Sequence, residues 1–134
     1  MTRWNVVDSS GWIEFFTAGA NGPVFKPVIE QRHALLVPAI ALFEVHRVLS
    51  RKLPPEVVTA CLNVMRLGRV LDITAPRAVA GAEVALRHKL AMGDALMYSL
   101  ALEHGATFWT QDVDYDNLPG VKYFAKPSPH APQP

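Results

Sequence analysis

Residues 4–11 read WNVVDSSG, and this stretch predicts the first two secondary-structure elements of the fold. The apolar run Trp4–Val7 has the length of one short buried strand, and it stops at the acidic residue Asp8. A helix is predicted over residues 10–18, before the glycine- and proline-containing turn at 19–23. A buried strand that leads directly into a helix is the repeating unit of α/β proteins.

The same alternation continues along the chain. Further short apolar strands are predicted at 35–37, 70–74, 107–110 and 121–124. Further helices are predicted at 24–32, 40–52, 56–67, 76–88 and 92–104. Short apolar strands separated by helices are typical of a parallel sheet that is covered on both faces. We therefore expect an α/β fold whose ligands bind at the carboxyl ends of the strands.

Composition places the chain among ordinary globular proteins, since 50% of its residues are hydrophobic and 19% are charged. Its length suits one domain, which we expect over residues 1–125, followed by a proline-rich tail at 126–134. The single cysteine, Cys61, excludes an internal disulfide, and no apolar run is long enough for a membrane span, so a cytoplasmic location is expected. The net charge of +1 means that nucleic-acid binding would need a local basic patch.

Four acidic residues lie where predicted strands end or predicted helices begin. Asp8 and Asp112 follow the first and fourth strands, Asp94 opens a helix, and Glu44 lies one turn into the helix after the second strand. Three of these acids have a structural explanation when taken alone. A strand-ending turn accounts for Asp8, the helix dipole accounts for Asp94, and an i,i+3 pair with Arg47 accounts for Glu44.

Taken together, the four carboxylates indicate a cation site. At separations of ~5 Å and an effective dielectric constant near 20, each pair would repel by roughly 3 kcal/mol. The sum over all pairs would exceed the ~5–15 kcal/mol stability of a typical domain, so protons or a cation must neutralise the cluster. Oxygen ligands without Cys or His suit Mg²⁺ or Mn²⁺, and one or two such ions activate a water next to a phosphate substrate.

Four segments of the chain resemble, in sequence and in order, the conserved motifs of PIN domains. The segments that carry the resemblance are Val6–Ser10, Val37–Leu49, Leu90–Ala106 and Thr110–Tyr115. They span roughly residues 4–125, and the chain has the length of a VapC-type toxin. The resemblance implies a PIN-like three-layer α/β/α sandwich with a central, mostly parallel sheet of about five strands. It also implies a Mg²⁺- or Mn²⁺-dependent endoribonuclease, the toxin of a type II toxin–antitoxin system.

The resemblance also implies roles for single residues. The quartet of catalytic, metal-binding acids would be Asp8, Glu44, Asp94 and Asp112. Ser9 and Thr110 match polar positions that support the quartet in the family. Asp114 matches a second acid after the fourth motif, which either assists Asp112 or faces solvent. Tyr115 stands where the family usually has Phe.

Partners are implied as well: an RNA substrate, a second copy of the chain, and a VapB-type antitoxin. The antitoxin's C-terminal segment would cover the acidic pocket. Four cations are candidates for holding RNA phosphates, the alternative for each being a solvated surface position. They are Arg47, Arg51, Arg87 and Lys89. The aromatic residues Trp12 and Phe16 are expected in the core, or alternatively on a surface that meets the antitoxin or the second copy.

Other α/β classes match the chain less well. A receiver domain needs a second acid beside Asp8, and a haloacid-dehalogenase-type phosphatase needs an aspartate at position 10, where the chain has serine. A glycine-rich phosphate loop is also absent from the sequence. Two alternatives within the resemblance stay open. They are an inactive PIN-like domain that binds RNA or protein, and a PIN nuclease without an antitoxin.

Overall fold

A computed structural model describes residues 3–127. The strands are β1 (Asn5–Val7), β2 (Leu35–Pro38), β3 (Arg69–Leu71), β4 (Thr107–Thr110) and β5 (Val121–Tyr123). The helices are α1 (Ser9–Phe16), α2 (Gly22–Glu30), α3 (Ala39–Leu49), α4 (Pro55–Met65), α5 (Ala75–His88) and α6 (Met92–Glu103). Short 3₁₀ turns occur at Arg32–Ala34 and Val113–Tyr115. Within this range no helix has both the length and the apolar character to cross a bilayer.

The five strands form one parallel sheet in the order β3-β2-β1-β4-β5. In the central strand β1, Val6 pairs with Leu36 on one side and with Phe108 on the other. Every residue of β2 is buried, which requires cover on both faces of the sheet. The predicted three-layer α/β/α sandwich is therefore confirmed. Of the predicted tail at 126–134, residues 128–134 lie outside the described range.

The strand order places a crevice beyond the carboxyl ends of the two neighbouring strands β1 and β4. The chain moves outward from β1 through β2 to β3, and then returns to the other side of β1 to form β4. Connections therefore leave β1 and β4 in opposite directions, which opens a gap beyond their carboxyl ends. Asp8 follows β1 and Gln111-Asp112 follow β4, so the fold brings these residues to the gap.

Most predicted elements occur within a few residues of their expected bounds, but the third strand is shorter than predicted. It ends at Leu71 rather than at residue 74. Thr74 instead precedes α5, where its hydroxyl accepts a hydrogen bond from the backbone N–H of Arg77 at 3.4 Å. A threonine is an effective N-cap, and this local hydrogen bond competes with strand pairing. Gly105 ends α6 with a φ of +59°, as predicted for a C-terminal glycine.

Aromatic side chains fill the core beneath the crevice. The ring of Phe108 lies 5.6 Å from that of Tyr98 and 4.7 Å from that of Tyr115. These contacts hold the 3₁₀ turn after β4 against α6. Trp12 has no exposed surface and stacks on Phe16 at 5.7 Å. The alternative that Trp12 serves a partner surface is therefore wrong, because none of its side chain is exposed.

Candidate active site

Asp8 is buried at the carboxyl end of β1, with 1% of its surface exposed. It caps α1, since the backbone N–H of Gly11 donates to Asp8 Oδ1 at 3.0 Å. Ser10 Oγ lies 2.8 and 2.9 Å from the two carboxylate oxygens, and Thr110 Oγ1 donates to Oδ2 at 2.8 Å. Three neighbouring groups thus hold the carboxylate in one orientation.

Burial raises the pKa of Asp8 to about 7, against an ordinary value of 3.8. The hydrogen bonds from Ser10, Thr110 and Gly11 lower this pKa, and the charge of Asp112 raises it further, but burial dominates. Within residues 3–127 the ion pairs are Lys26–Glu30, Arg77–Glu103 and His104–Glu103, so none neutralises Asp8. Near neutral pH, Asp8 therefore holds a proton or requires a cation close by.

Three further acids meet beside Asp8. Oxygen atoms of Asp94, Asp112 and Asp114 all lie within 4.8 Å of one another. Asp94 comes from the first turn of α6, and the other two flank the start of the turn after β4. The backbone N–H of Asp114 donates to Asp112 Oδ1 at 2.9 Å. That of Asp112 donates to Thr110 Oγ1, also at 2.9 Å, so one threonine hydroxyl contacts both Asp8 and Asp112.

The pKa of Asp94 is also raised. Burial is the largest cause, a hydrogen bond from Tyr115 acts in the opposite direction, and the charges of Asp112, Glu44 and Asp114 raise the pKa further. The Tyr115 hydroxyl donates to the backbone carbonyl of Asp94 at 3.1 Å, which ties the 3₁₀ turn to the first turn of α6. Burial also raises the pKa of Tyr115 well above its usual range, so this hydroxyl keeps its proton.

Glu44 approaches the same cluster from α3. Ser9 Oγ donates to Glu44 Oε1 at 3.1 Å. A Cβ atom at position 93 would lie only 2.7 Å from Glu44 Oε2, so the glutamate approaches α6 this closely because residue 93 is glycine. The alternative explanation of Glu44, an i,i+3 pair with Arg47, does not occur: no such ion pair forms in the described chain, and the Arg47 guanidinium lies over the Phe43 ring at 5.8 Å.

All the acids that the sequence singled out therefore lie at the crevice, three of them close together and two at its sides. Asp94, Asp112 and Asp114 form the close group. Asp8 lies behind it, linked through Thr110, and Glu44 lies beside the start of α6. For Asp114 the two predicted alternatives combine, because its side chain is exposed to solvent and still belongs to the close group.

Sequence reasoning missed three residues that shape the site: Ser10, Gly93 and Tyr115. For Ser10 the signal was a second hydroxyl two residues after a strand-ending acid, at a spacing suited to a side-chain hydrogen bond. For Gly93 the signal was its position in the first turn of a helix, where glycine lowers helix propensity without a local benefit. The Tyr115 contact carries no local signal, because it joins residues brought together only by packing.

The donor set fits a hard divalent cation. The three clustered side chains offer only carboxylate oxygens, the ligands that Mg²⁺ and Mn²⁺ prefer. Charges 4.8 Å apart repel by about 3 kcal/mol per pair at an effective dielectric constant near 20, and by less where Asp114 faces water. Their mutual repulsion and the raised pKa of Asp94 both fall when positive charge is present.

The four predicted phosphate-binding cations are all exposed, and they lie on two elements. Arg47 and Arg51 lie on α3 and just after it, while Arg87 and Lys89 lie at the end of α5. Lys89 ends α5 in the left-handed conformation, with a φ of +55°, three residues before α6 begins at Met92. Their role in RNA binding stays a prediction.

Comparison with known proteins identifies related folds. A chain from a toxin–antitoxin complex of Klebsiella pneumoniae superposes with a TM-score of 0.74 at 16% identity, covering 88% of this chain and 95% of its own. VapBC2 from Rickettsia felis, bound to a promoter DNA fragment, gives 0.68 at 13% identity and covers 90% and 97%. VapC20 from Mycobacterium tuberculosis, a toxin that cleaves the sarcin–ricin loop, gives 0.70 at 20% identity and covers 82% and 91%.

Identities at this level establish a shared fold. No curated protein sequence matches the chain significantly. The PIN domain family model, however, matches residues 6–121, a range that includes β2, β3 and β4 in full, most of β1, the start of β5 and every acid of the crevice. On this match, the chain belongs to the PIN domain family.

Proposed function

We propose that this chain is a divalent-metal-dependent endoribonuclease and acts as the VapC-type toxin of a toxin–antitoxin pair. The observation that carries the proposal is the meeting of Asp94, Asp112 and Asp114 within 4.8 Å, next to buried Asp8, at the carboxyl ends of β1 and β4. Repulsion between these carboxylates destabilises the folded protein unless a cation is bound. The same cation would neutralise the negative charge of a phosphodiester substrate.

The acids of the crevice would hold Mg²⁺ or Mn²⁺, with Asp94 and Asp112 central, Asp114 at the exposed edge, and Asp8 and Glu44 at the sides. When bound, such a cation supplies an activated water and offsets the charge that develops on the phosphate.

The chain's own hydroxyl groups set the positions of these acids. Thr110 contacts Asp8 and the backbone of Asp112, Ser10 contacts Asp8, and Ser9 contacts Glu44. This arrangement exists before substrate arrives, so the reaction does not have to order the ligands.

A protein partner is part of the proposal. The neighbouring structures from Klebsiella pneumoniae and Rickettsia felis are toxin–antitoxin assemblies, which supports an antitoxin for this chain. The α5–α6 pair also carries exposed apolar side chains, with 84% of Leu86 and 74% of Met92 exposed around a groove that reaches Gly81. Apolar surface of this kind is often covered by another protein. A VapB-type antitoxin and a second copy of the chain are the proposed partners.

The decisive experiment maps RNA ends in cells after induced expression of the protein. We expect new 5′ ends with the wild type and none with Asp94→Asn, while Asp116→Asn behaves as the wild type because Asp116 is an exposed residue outside the cluster. Purified protein should cleave the same RNA with Mg²⁺ or Mn²⁺ and not with EDTA. Identical RNA ends for the wild type and Asp94→Asn would contradict the nuclease proposal. RNA binding without cleavage would favour the inactive PIN-like alternative.

A further inference from the structure

We propose that the cavity beside the acid cluster, between the end of β4 and the segment after β5, holds one nucleotide of single-stranded RNA next to the bond that is cut. Tyr123 would stack on its base and Lys126 would contact a phosphate. The inference deepens the proposed function, on which it rests for the nature of the ligand.

The cavity adjoins the acid cluster directly. Its volume is about 410 Å³, within the range of small-ligand sites. Its walls include Ser10 and Asp112, and Ser10 also contacts Asp8 while Asp112 belongs to the close group of acids. A strand whose scissile phosphate lies at the acids would therefore place an adjacent nucleotide in this cavity.

The two walls of the cavity are fixed to each other. Asn21 Nδ2 donates to Gln111 Oε1 at 3.1 Å on the β4 side and to the backbone carbonyl of Ala125 at 3.2 Å on the β5 side. The backbone N–H of Phe124 donates to the Thr110 carbonyl at 2.9 Å, which extends the pairing past the end of β5. The cavity is therefore preformed, and binding there does not require ordering of the loop.

The cavity wall carries the two kinds of group that single-stranded RNA uses. Tyr123 is half-buried and presents an aromatic ring, and aromatic rings bind bases of any sequence by stacking. Lys126 is exposed and adds positive charge at a wall that otherwise carries the acid Asp112. A phosphate held near acids needs such a charge, which favours an RNA strand over a neutral ligand.

The chain offers a matched control for Lys126. Lys122 lies on β5, but its ammonium group lies 4.6 Å from the centre of the Trp109 ring, and it does not line the cavity. Lys122→Ala and Lys126→Ala therefore remove the same charge from nearby positions, and only the second change should remove a phosphate contact.

The test measures binding of a fluorescent single-stranded uridine oligoribonucleotide by anisotropy, over a series of KCl concentrations. The parent protein is Asp94→Asn with Mg²⁺ present, so that cleavage does not interfere. Lys126→Ala should make the negative slope of log K against log salt shallower by about 0.7, the value for one phosphate contact on a single strand, and Lys122→Ala should not change it. Tyr123→Ala should weaken binding roughly tenfold at every salt concentration, and Tyr123→Phe should keep the parent affinity.

An unchanged slope for Lys126→Ala, full affinity for Tyr123→Ala, or no RNA binding by the parent would overturn the proposal. Because binding is read without cleavage, the two proposals fail separately. If the wild type cleaves RNA but Lys126→Ala and Tyr123→Ala bind it as the parent does, only the nucleotide site is rejected. No cleavage by the wild type, with the expected binding losses, would reject the nuclease and support this site. In the wild-type background, Lys126→Ala should raise KM and leave kcat nearly unchanged.

Discussion

Replacing Asp8 with asparagine tests the electrostatic description of the crevice, because this carboxylate is almost fully removed from water. Asparagine has nearly the same shape. Its carbonyl oxygen can accept from the Gly11 N–H, and its amino group can donate to the hydroxyl oxygens of Ser10 and Thr110, since hydroxyl groups rotate to donate or accept. We therefore expect Asp8→Asn to fold with the same hydrogen-bonded neighbours and to lose cleavage.

The expected gain in stability follows from the pKa of Asp8, which is about 7 in the folded protein against an ordinary value of 3.8. Each unit of difference corresponds to about 1.4 kcal/mol, so the ionised carboxylate costs the folded state about 4 kcal/mol. Well below the ordinary value the group is protonated in both states and costs nothing. As pH rises between the two values, the folded state binds more protons than the unfolded state, so stability falls; above the folded-state value the full cost applies.

Urea denaturation in EDTA, from about pH 4 to about pH 8, measures this effect. The free energy of unfolding of Asp8→Asn should exceed that of the wild type by little at the acidic end and by about 4 kcal/mol at the alkaline end. Asp116→Asn, which changes an exposed carboxylate, should show no such trend. Added Mg²⁺ should reduce the difference in unfolding free energy between Asp8→Asn and the wild type, because the ion stabilises the wild type more strongly.

A difference in unfolding free energy that does not change with pH would refute the reasoning, because the cost of ionising buried Asp8 must grow as pH rises through this range. An Asp8→Asn protein less stable than the wild type at the alkaline end would refute it as well. That result would mean that the hydrogen bonds from Ser10, Thr110 and Gly11 outweigh the cost of burial.

Three further predictions concern the neighbours of Asp8. Mg²⁺ at ten times its dissociation constant should raise the melting temperature of the wild type by roughly 5 °C, as followed by circular dichroism, and Asp112→Asn should reduce that shift. Gly93→Ala should weaken Mg²⁺ binding at least tenfold in titration calorimetry, because its Cβ would lie 2.7 Å from Glu44 Oε2 and displace that carboxylate. Thr110→Val should lower the free energy of unfolding by about 2 kcal/mol at alkaline pH, and by less at acidic pH, because ionised Asp8 loses a hydrogen-bond donor.

Each of these expectations has a contradicting outcome and a control. Equal shifts of the melting temperature for the wild type and Asp112→Asn would place the ion outside the acid cluster. Unchanged Mg²⁺ affinity in Gly93→Ala would remove Glu44 from the site. Gly22→Ala is the control, since a Cβ there would come no closer than 3.5 Å to any atom. A Thr110→Val protein as stable as the wild type at alkaline pH would show that its hydroxyl does not support Asp8.

Local patterns predicted the order of the elements and the edge of the sheet at which the acids collect. Short apolar runs that end in polar residues mark strands whatever they pack against, and helices between them require a parallel sheet. Because parallel strands end at the same edge, Asp8 and Asp112 were expected together before any distance was known. Their roles in catalysis stay predictions.

Other features depended on contacts between distant parts of the chain. Burial of Asp8, which raises its pKa, depends on how the helices cover the end of β1. The approach of Glu44 to Gly93 depends on how α3 crosses α6, and the Tyr115 hydrogen bond depends on the aromatic core beneath it. The third strand stops at Leu71 because Thr74 caps the next helix, a competition that apolar periodicity does not reveal.

Sequence alone determined which residue types stand at the ends of the strands, because backbone periodicity and turn chemistry are local properties of the chain. Only the tertiary structure decided which of those side chains are buried, which share a hydroxyl donor, and which acids lie within 4.8 Å of one another. The physical reason is that desolvation and charge repulsion depend on distances between residues far apart in sequence, and packing sets those distances.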